Sequence, residues 1–160
     1  NRILLKQKTF NFPAVQYRSL LYGVVSMDKD LKMESRKDLS IVTKNFPTKE
    51  EIDDLIFANK AAKHLKSNTI ALVKDKQLIG IGTGQTSRVD ALRQAILKAQ
   101  AFNFGLKGAV MASDAFFPFS DCVEIANEAG IRAVIQPGGS IRDKDSIEFC
   151  DANDLSLIHI

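Results

Sequence analysis

Two glycine-rich segments of the sequence each place an arginine next to a predicted helix start. They are Gly-Ile-Gly-Thr-Gly-Gln-Thr-Ser-Arg at residues 80–88 and Gln-Pro-Gly-Gly-Ser-Ile-Arg at residues 136–142. Amides at a helix N-terminus bind anions, and a guanidinium such as that of Arg88 binds phosphate or carboxylate through two hydrogen bonds. Gln85 breaks the dinucleotide-binding spacing, and the Gly-Lys-Ser/Thr ending of a P-loop is missing. An equally good alternative is that alternate glycines on a strand let a helix approach closely.

A third segment, residues 113–121, carries three phenylalanines and a proline between Asp114 and Asp121. Neither strand nor helix spacing explains consecutive aromatic side chains, so we expect a role other than core filling. The two aspartates could act as acid and base, or bind the amino groups of a heterocycle. The alternative is that Asp114 is a turn residue and Asp121 a helix N-cap.

Other groups that could do chemistry offer little. Lys63 and His64 are adjacent on a predicted helix and face different directions, so a solvated helix end is the better interpretation. Cys122 and Cys150 are far apart and are interpreted as reduced thiols. Because no H-x-E or C-x-x-C motif is present, we expect no zinc site, and His159 has no companion ligand spacing.

The elements that position these segments follow from capping and periodicity. Thr48 and Glu51 predict a capping box for a helix that ends near Lys66. A tight hairpin is predicted for residues 69–74 and 77–82. Helices are expected from Ser87 to before Gly105, from Asp121 to Gly130, and from Ser140 to about Ala152, and further strands at 109–112, 132–136 and 155–159.

Alternating strands and helices predict a layered α/β domain with a mixed, mostly parallel sheet and helices on its faces. Ligands bind at the carboxyl ends of such strands, where the loops 82–88, 112–121 and 136–140 are expected to meet. We expect an N-terminal extended or linker segment at 1–45 and the α/β subdomain at 46–160.

Composition supports a globular chain of 160 residues that is 45% hydrophobic and 26% charged. No apolar run reaches a membrane span and no signal peptide is recognised, so a cytoplasmic protein without a membrane partner is expected. Residues 1–80 hold 15 basic and 9 acidic side chains, against 7 and 10 in residues 81–160. The basic residues are dispersed, which favours a small anionic ligand over nucleic acid.

Five segments, in order over roughly residues 38–158, resemble the C-terminal part of the AICAR transformylase family. This family is the formyl-transferring half of a bifunctional purine biosynthesis protein that also carries IMP cyclohydrolase. The segments are Asp-Leu-Ser-Ile-Val-Thr-Lys (38–44), Lys-Ser-Asn-Thr-Ile-Ala (66–71), Ile-Gly-Ile-Gly-Thr-Gly-Gln-Thr-Ser-Arg-Val (79–89), Met-Ala-Ser-Asp-Ala-Phe-Phe-Pro-Phe (111–119) and Ala-Val-Ile-Gln-Pro-Gly-Gly-Ser-Ile-Arg-Asp (133–143). The most specific features are the segment 111–119 and the Gly-Gln-x-Ser-Arg of the segment 79–89.

The resemblance implies a three-layer α/β/α, cytidine-deaminase-like subdomain without zinc, in a homodimer with active sites across the subunit interface. It implies formyl transfer from 10-formyltetrahydrofolate to the exocyclic amine of AICAR. Residues matching ribonucleotide-binding positions are Asn68, Arg88 and Phe116. Residues matching folate positions are Val89, Pro118, Phe119, Asp121 and Ser140, and Asp114 matches a position associated with a potassium ion.

The chain also departs from the family pattern. The family's catalytic Lys-His segment is missing, the chain stops before the expected tail, and Ser120 replaces an arginine. No catalytic residue is therefore assigned, and we expect a fragment or divergent homologue that is inactive alone. The alternative is a non-catalytic module that binds a nucleotide or pterin, or mediates dimerisation.

Overall fold

The computed structural model describes residues 3–9, 11 and 13–160, and divides the chain into two compact units. The first unit, Asn1–Met33, contains an antiparallel hairpin of β1 (Val15–Leu20) and β2 (Gly23–Asp28). Several large apolar side chains of this hairpin are exposed. The second unit, Glu34–Ile160, contains every residue predicted for the site.

The second unit is built on a six-stranded mixed sheet with the order β3-β8-β7-β6-β4-β5. Its strands are β3 (Ser40–Ile41), β4 (Ile70–Lys74), β5 (Gln77–Gly82), β6 (Val110–Ser113), β7 (Ala133–Gln136) and β8 (Ser156–His159). Its helices are α1 (Lys49–Lys63), α2 (Arg88–Ala101), α3 (Asp121–Glu128) and α4 (Asp143–Ala152).

Helices cover both faces of this sheet, as expected for a three-layer α/β/α domain. Leu55, Ala58 and Ala62 of α1 pack on one face, and α2, α3 and α4 bury side chains against the other. The predicted mixed α/β fold is confirmed. Strands β5 to β8 point in one direction, but three of the five strand pairings described within this sheet are antiparallel, because β3 and β4 run the opposite way.

The division between the units lies at Met33 and Glu34, twelve residues before the predicted boundary at 45. Residues 34–45 belong to the second unit because they form hydrogen bonds with β8 and α4. The Thr43 hydroxyl accepts a hydrogen bond from the Leu157 amide at 3.0 Å, and the Lys44 amide donates to Asp151 at 2.7 Å.

The predicted capping box and hairpin are both present. The Thr48 hydroxyl accepts from the Glu51 amide at 3.1 Å, and α1 ends at Lys63, three residues earlier than expected. In the β4–β5 turn, Asp75 and Lys76 adopt positive φ of 52° and 60° without a glycine. Their amides donate to the buried carboxylate of Asp54 on α1 at 2.8 and 2.7 Å. A carboxylate distant in sequence therefore stabilises a turn that its own residues disfavour.

Two predicted N-cap assignments are wrong. Asp121 is the first residue of α3 and Ser120 occupies the N-cap position, so Asp121 does not cap the helix. Helix α4 begins at Asp143, with Arg142 in its N-cap position. Ser140 instead accepts a hydrogen bond from the Arg142 amide at 3.1 Å, which shapes the turn before the helix.

The alternate glycines of β5 allow α2 to lie directly on the strand. A Cβ added at Gly80 would overlap the carbonyl oxygen of Ala95, and one at Gly82 would overlap that of Ala91. The interpretation of close helix packing is therefore confirmed for these two glycines. The contact also sets where α2 begins, and with it the position of Arg88.

The Gly82→Ala variant tests this packing. We expect a loss of at least about 2 kcal/mol in the free energy of unfolding, because the helix backbone must move to admit the methyl group. Gly105→Ala is the matched control, since a Cβ there meets nothing within 4 Å, and we expect a change of about 0.5 kcal/mol or less. Urea unfolding of both variants measures the difference, and equal stabilities would contradict the close approach.

Candidate functional site

The predicted site residues gather at one end of the sheet, where the carboxyl ends of several strands lie. Strands β5 to β8 all end there, and β4 begins there because it is antiparallel to both neighbours. The loops that meet at this end of the sheet are residues 66–69, 83–87, 114–120 and 137–142. The expectation that ligand loops cluster at strand carboxyl ends is therefore confirmed for the geometry.

A polar cluster centred on Asp114 joins three of these segments. Its Oδ1 accepts from the Thr69 amide at 3.1 Å and from Arg88 Nη2 at 3.0 Å, and its Oδ2 accepts a short hydrogen bond from the Ser67 hydroxyl. The Asp114 and Arg88 side chains are each only 13% exposed. A carboxylate and a guanidinium thus form a largely buried pair at the mouth of β6.

The protonation of Asp114 follows from these contacts. Burial raises the pKa of its carboxyl, but the hydrogen bonds from Ser67, Thr69 and Arg88, with the charge of Arg88, outweigh burial. The pKa therefore lies below its ordinary value of 3.8, and the carboxylate is ionised at neutral pH. Three donors occupy most of its roughly four acceptor sites, and the potassium assignment stays a prediction.

Arg88 is largely buried and paired. Its Nη2 bonds to Asp114, while its Nε is buried and has no hydrogen-bond partner among the described residues. A buried donor without a partner costs free energy. The Arg88 side chain is 13% exposed, and its charge is partly neutralised by Asp114.

Asn68 braces the loops beside Arg88. Its side-chain amide nitrogen donates to the carbonyl oxygens of Gln85 at 3.0 Å and Thr86 at 3.3 Å. The backbone amide of Asn68 also donates to Gln85 at 3.1 Å. In this structure, Asn68, which matches a ribonucleotide-binding position, joins the start of β4 to the loop before α2, and its side-chain oxygen remains an acceptor.

The phenylalanine segment forms one wall of an open cleft of about 460 Å³. Phe117 is fully buried, whereas Phe116 and Phe119 are 43% and 50% exposed. The opposite wall comes from the turn before α4. The cleft is lined by Phe116, Pro118, Phe119, Gly139, Ser140, Ile141 and Arg142. Arg142 lies over the Phe119 ring, 4.9 Å from its centroid.

Two predicted folate residues do not line this cleft. Val89 is half-buried and packs against the core under α2. Asp121 accepts a hydrogen bond from the neighbouring Cys122 amide at 2.8 Å. Burial, followed by the charge of Asp121, raises the pKa of the Cys122 thiol to about 12, so this thiol is protonated at neutral pH. Burial likewise raises the pKa of Cys150 to about 12.

Sequence reasoning missed two residues behind the cleft. Gln136 is fully buried at the end of β7, and its Oε1 accepts from the Phe117 amide at 2.7 Å. Its Nε2 lies 3.1 Å from His159 Nε2 on the adjacent strand. The signal that could have found Gln136 is a polar residue ending an apolar buried strand, directly before Pro-Gly-Gly.

His64 lies where sequence analysis expected it. His64 is an exposed helix C-cap, which confirms the helix-end interpretation. In the part of the chain that the structure describes, no group of three or more His, Cys, Asp or Glu residues is placed to hold a metal ion. Among the same residues, no helix has the length and apolar character needed to cross a bilayer.

Comparison with known proteins agrees with the recognised segments. The family model described as "AICARFT/IMPCHase bienzyme" matches residues 1–98. A "Bifunctional purine biosynthesis protein PurH" from Bacteroides thetaiotaomicron is 56% identical over 158 residues, which cover 99% of this chain and 31% of that protein. The protein of the same name from Chlorobium luteolum is 48% identical over 157 residues, covering 98% and 30%.

Among solved structures, a dCMP deaminase from the cyanophage S-TIM5, in complex with dCMP and dUMP, has a TM-score of 0.47 at 17% identity, covering 69% of this chain and 98% of that one. A deaminase/reductase from Thermotoga maritima has a TM-score of 0.44 at 19% identity, covering 66% and 33%. Scores below 0.5 add nothing to the fold assignment, which rests on the strand order.

Fold and site together define an α/β domain whose loops form a polar cluster and an aromatic cleft at the carboxyl ends of strands β5 to β8. The chain belongs to the AICARFT/IMPCHase bienzyme family. It spans about a third of the length of the curated relatives it matches, which are purine biosynthesis proteins.

The Asp114→Asn variant tests the polar cluster through pH. A carboxyl with a lowered folded-state pKa stabilises the fold above its unfolded value, and this stability is lost as pH falls through the folded value. We expect the wild type to lose stability below about pH 4 more steeply than the variant. At pH 7 the variant should be about 2 kcal/mol less stable, because the contacts of Arg88 and Ser67 lose their charged partner.

Urea unfolding at a series of pH values measures both effects. Glu128→Gln, an exposed carboxylate of α3, is the control and should leave the profile unchanged. An Asp114→Asn variant with the wild-type profile would contradict a structural role for this carboxylate.

Proposed function

We propose that this chain forms the substrate-binding C-terminal part of an AICAR formyltransferase. The reaction transfers a formyl group from 10-formyltetrahydrofolate to the exocyclic amine of AICAR. The observation that carries the proposal is that a polar cluster and an aromatic cleft lie side by side at the same end of the sheet. The Asp114–Arg88 cluster suits an anionic ribonucleotide, and the aromatic cleft beside it suits a flat reduced folate.

The cleft supports the folate assignment by size and chemistry. Its volume of about 460 Å³ lies within the ordinary range of ligand sites. The exposed rings of Phe116 and Phe119 offer faces on which a pterin or aminobenzoyl ring can stack. Arg142 adds a positive charge over Phe119, which complements the carboxylates of a folate tail.

The polar cluster supports the nucleotide assignment. The Arg88 guanidinium, whose side chain is 13% exposed beside Asp114, can donate to an anionic or carbonyl oxygen of the ribonucleotide. The oxygen of Asn68 is available to accept from the carboxamide, while its nitrogen braces the loop. Phe116 lines the cleft and matches a ribonucleotide-binding position of the family, so the two substrates would meet near its ring.

Binding residues alone do not complete this reaction. The weakly nucleophilic amine of AICAR needs a base as it attacks the formyl carbon, and the tetrahedral oxyanion needs a stabiliser. The thiols of Cys122 and Cys150 are protonated, and His64 caps an exposed helix end. We therefore assign the base to the rest of the longer protein, in a cytoplasmic homodimer whose sites lie across the subunit interface.

A non-catalytic nucleotide- or pterin-binding or dimerisation module is the second candidate. The observation that favours it is the pairing of Arg88 with Asp114, because this arginine needs no ligand to neutralise its charge. Both candidates predict binding, and only the first predicts that a longer protein containing the Lys-His segment transfers the formyl group. Assay of that longer protein separates them.

A crossed titration tests the two binding assignments. AICAR and folic acid are each titrated by calorimetry into the wild type, Arg88→Lys and Phe119→Leu. Arg88→Lys keeps the charge but loses the planar fork, so AICAR should bind about tenfold more weakly while folic acid binding stays within about twofold. Phe119→Leu keeps an apolar side chain but loses the flat ring, so folic acid should weaken about fivefold and AICAR should not.

Each variant is therefore the control for the other. AICAR affinity that is unaffected by Arg88→Lys would contradict the nucleotide assignment, and folic acid affinity that is unaffected by Phe119→Leu would contradict the folate assignment. The same preparations are assayed with 10-formyltetrahydrofolate and AICAR together. We expect no formyl transfer, and turnover by this chain alone would overturn the assignment of the base to another part of the protein.

A further inference from the structure

Both walls of the aromatic cleft rest on one pair of side chains, the buried Gln136 and the half-buried His159. These residues are directly opposite each other in the parallel β7–β8 register. Gln136 is fully buried and both polar atoms of its amide are used. We propose that Gln136 is a positioning residue for this cleft and acts through the Phe117 amide on one wall and His159 on the other. The proposal rests on the folate assignment above.

The hydrogen-bond directions are determined by the Phe117 amide. An amide N–H can only donate, so the side-chain atom of Gln136 that faces it must be the oxygen. The NH2 group of Gln136 then faces His159 and must donate to its Nε2. His159 therefore accepts at Nε2, and in the neutral ring the proton lies on Nδ1. Reversing the amide would place two donors against each other at Phe117.

The first wall depends on the Phe117 contact. Phe117 buries its own ring completely, while its neighbour Phe116 and the nearby Phe119 present theirs to the cleft. The loop before it is held by the Ser113 hydroxyl, which donates to the Ala115 carbonyl at 2.7 Å. The Gln136 contact is the next attachment along the chain, and it sets the height of residues 116–119 above the sheet.

The second wall depends on His159. Gly138 has φ +72°, and a Cβ added there would overlap the imidazole ring of His159. The turn that carries Gly139, Ser140 and Arg142 therefore lies directly on this ring. Since Gln136 fixes the orientation of the ring through Nε2, it controls the position of both walls.

The decisive variants separate hydrogen-bond chemistry from bulk. Gln136→Met keeps the length of the side chain but removes the acceptor for Phe117. We expect hydrogen exchange of the Phe117 amide to accelerate at least tenfold and folic acid to bind about tenfold more weakly. Gln136→Glu restores an acceptor for Phe117, and a protonated His159 can donate to its second oxygen. This variant should recover most of the protection and affinity.

Gln100→Met, on the exposed face of α2, is the matched control and should change neither quantity. If Gln136→Met does not fold, His159→Phe decides, because it keeps a ring under Gly138 but removes the acceptor at Nε2. We then expect a threefold or greater loss of folic acid affinity and faster exchange at Phe117.

Three results would overturn the proposal. These are folic acid affinity within twofold of wild type in Gln136→Met, a Gln136→Glu variant as impaired as Gln136→Met, or unchanged exchange at Phe117. If the wild type does not bind folic acid at all, the folate assignment fails. In that case the exchange rates of the Phe117 amide in Gln136→Met, Gln136→Glu and His159→Phe still decide whether Gln136 positions this loop.

Discussion

The carboxylate of Asp114 is the contact on which the site depends most. It accepts hydrogen bonds from the loop before β4, from β4's preceding residue Thr69 and from the first residue of α2. These segments are separated by 26 to 47 positions from Asp114 in the chain. One ionised group at the end of β6 therefore positions the arginine proposed to hold the nucleotide, and its own chain continues into the aromatic segment.

The β5–α2 contact gives this cluster a rigid support. Because Gly80 and Gly82 have no side chain, the backbone of α2 packs directly on β5 and holds the N-terminus of the helix close to the site. Arg88 is the first residue of α2, so this helix–strand packing determines where its side chain begins. The glycines first considered as an anion-binding loop thus act on the site through helix placement, and Arg88 supplies the charge.

The sequence was sufficient for features that depend on neighbouring residues. The capping box of Thr48 and Glu51 and the β4–β5 hairpin were predicted because their signals span three to six positions. The resemblance indicated the loops of the cleft. The roles of Asp54 and Gln136 could not be predicted, since their partners lie 19 or more positions away and neither residue belongs to a recognised motif. The N-caps of α3 and α4 were misassigned because Asp121 and Ser140 are good N-caps in sequence, whereas Ser120 and Arg142 occupy those positions.

We propose that nucleotide and folate bind at the same end of the sheet, on either side of Phe116. Amide chemical-shift mapping by NMR, with AICAR and folic acid added in turn, tests this arrangement. We expect AICAR to perturb residues 67–69, 86–89 and 114–116, and folic acid to perturb 116–119 and 139–142. The turn at residues 75–76, at the opposite end of the strands, should stay unchanged. Perturbations centred on that turn, or none at ligand concentrations of about 1 mM, would show that the two ligands do not bind at this end of the sheet.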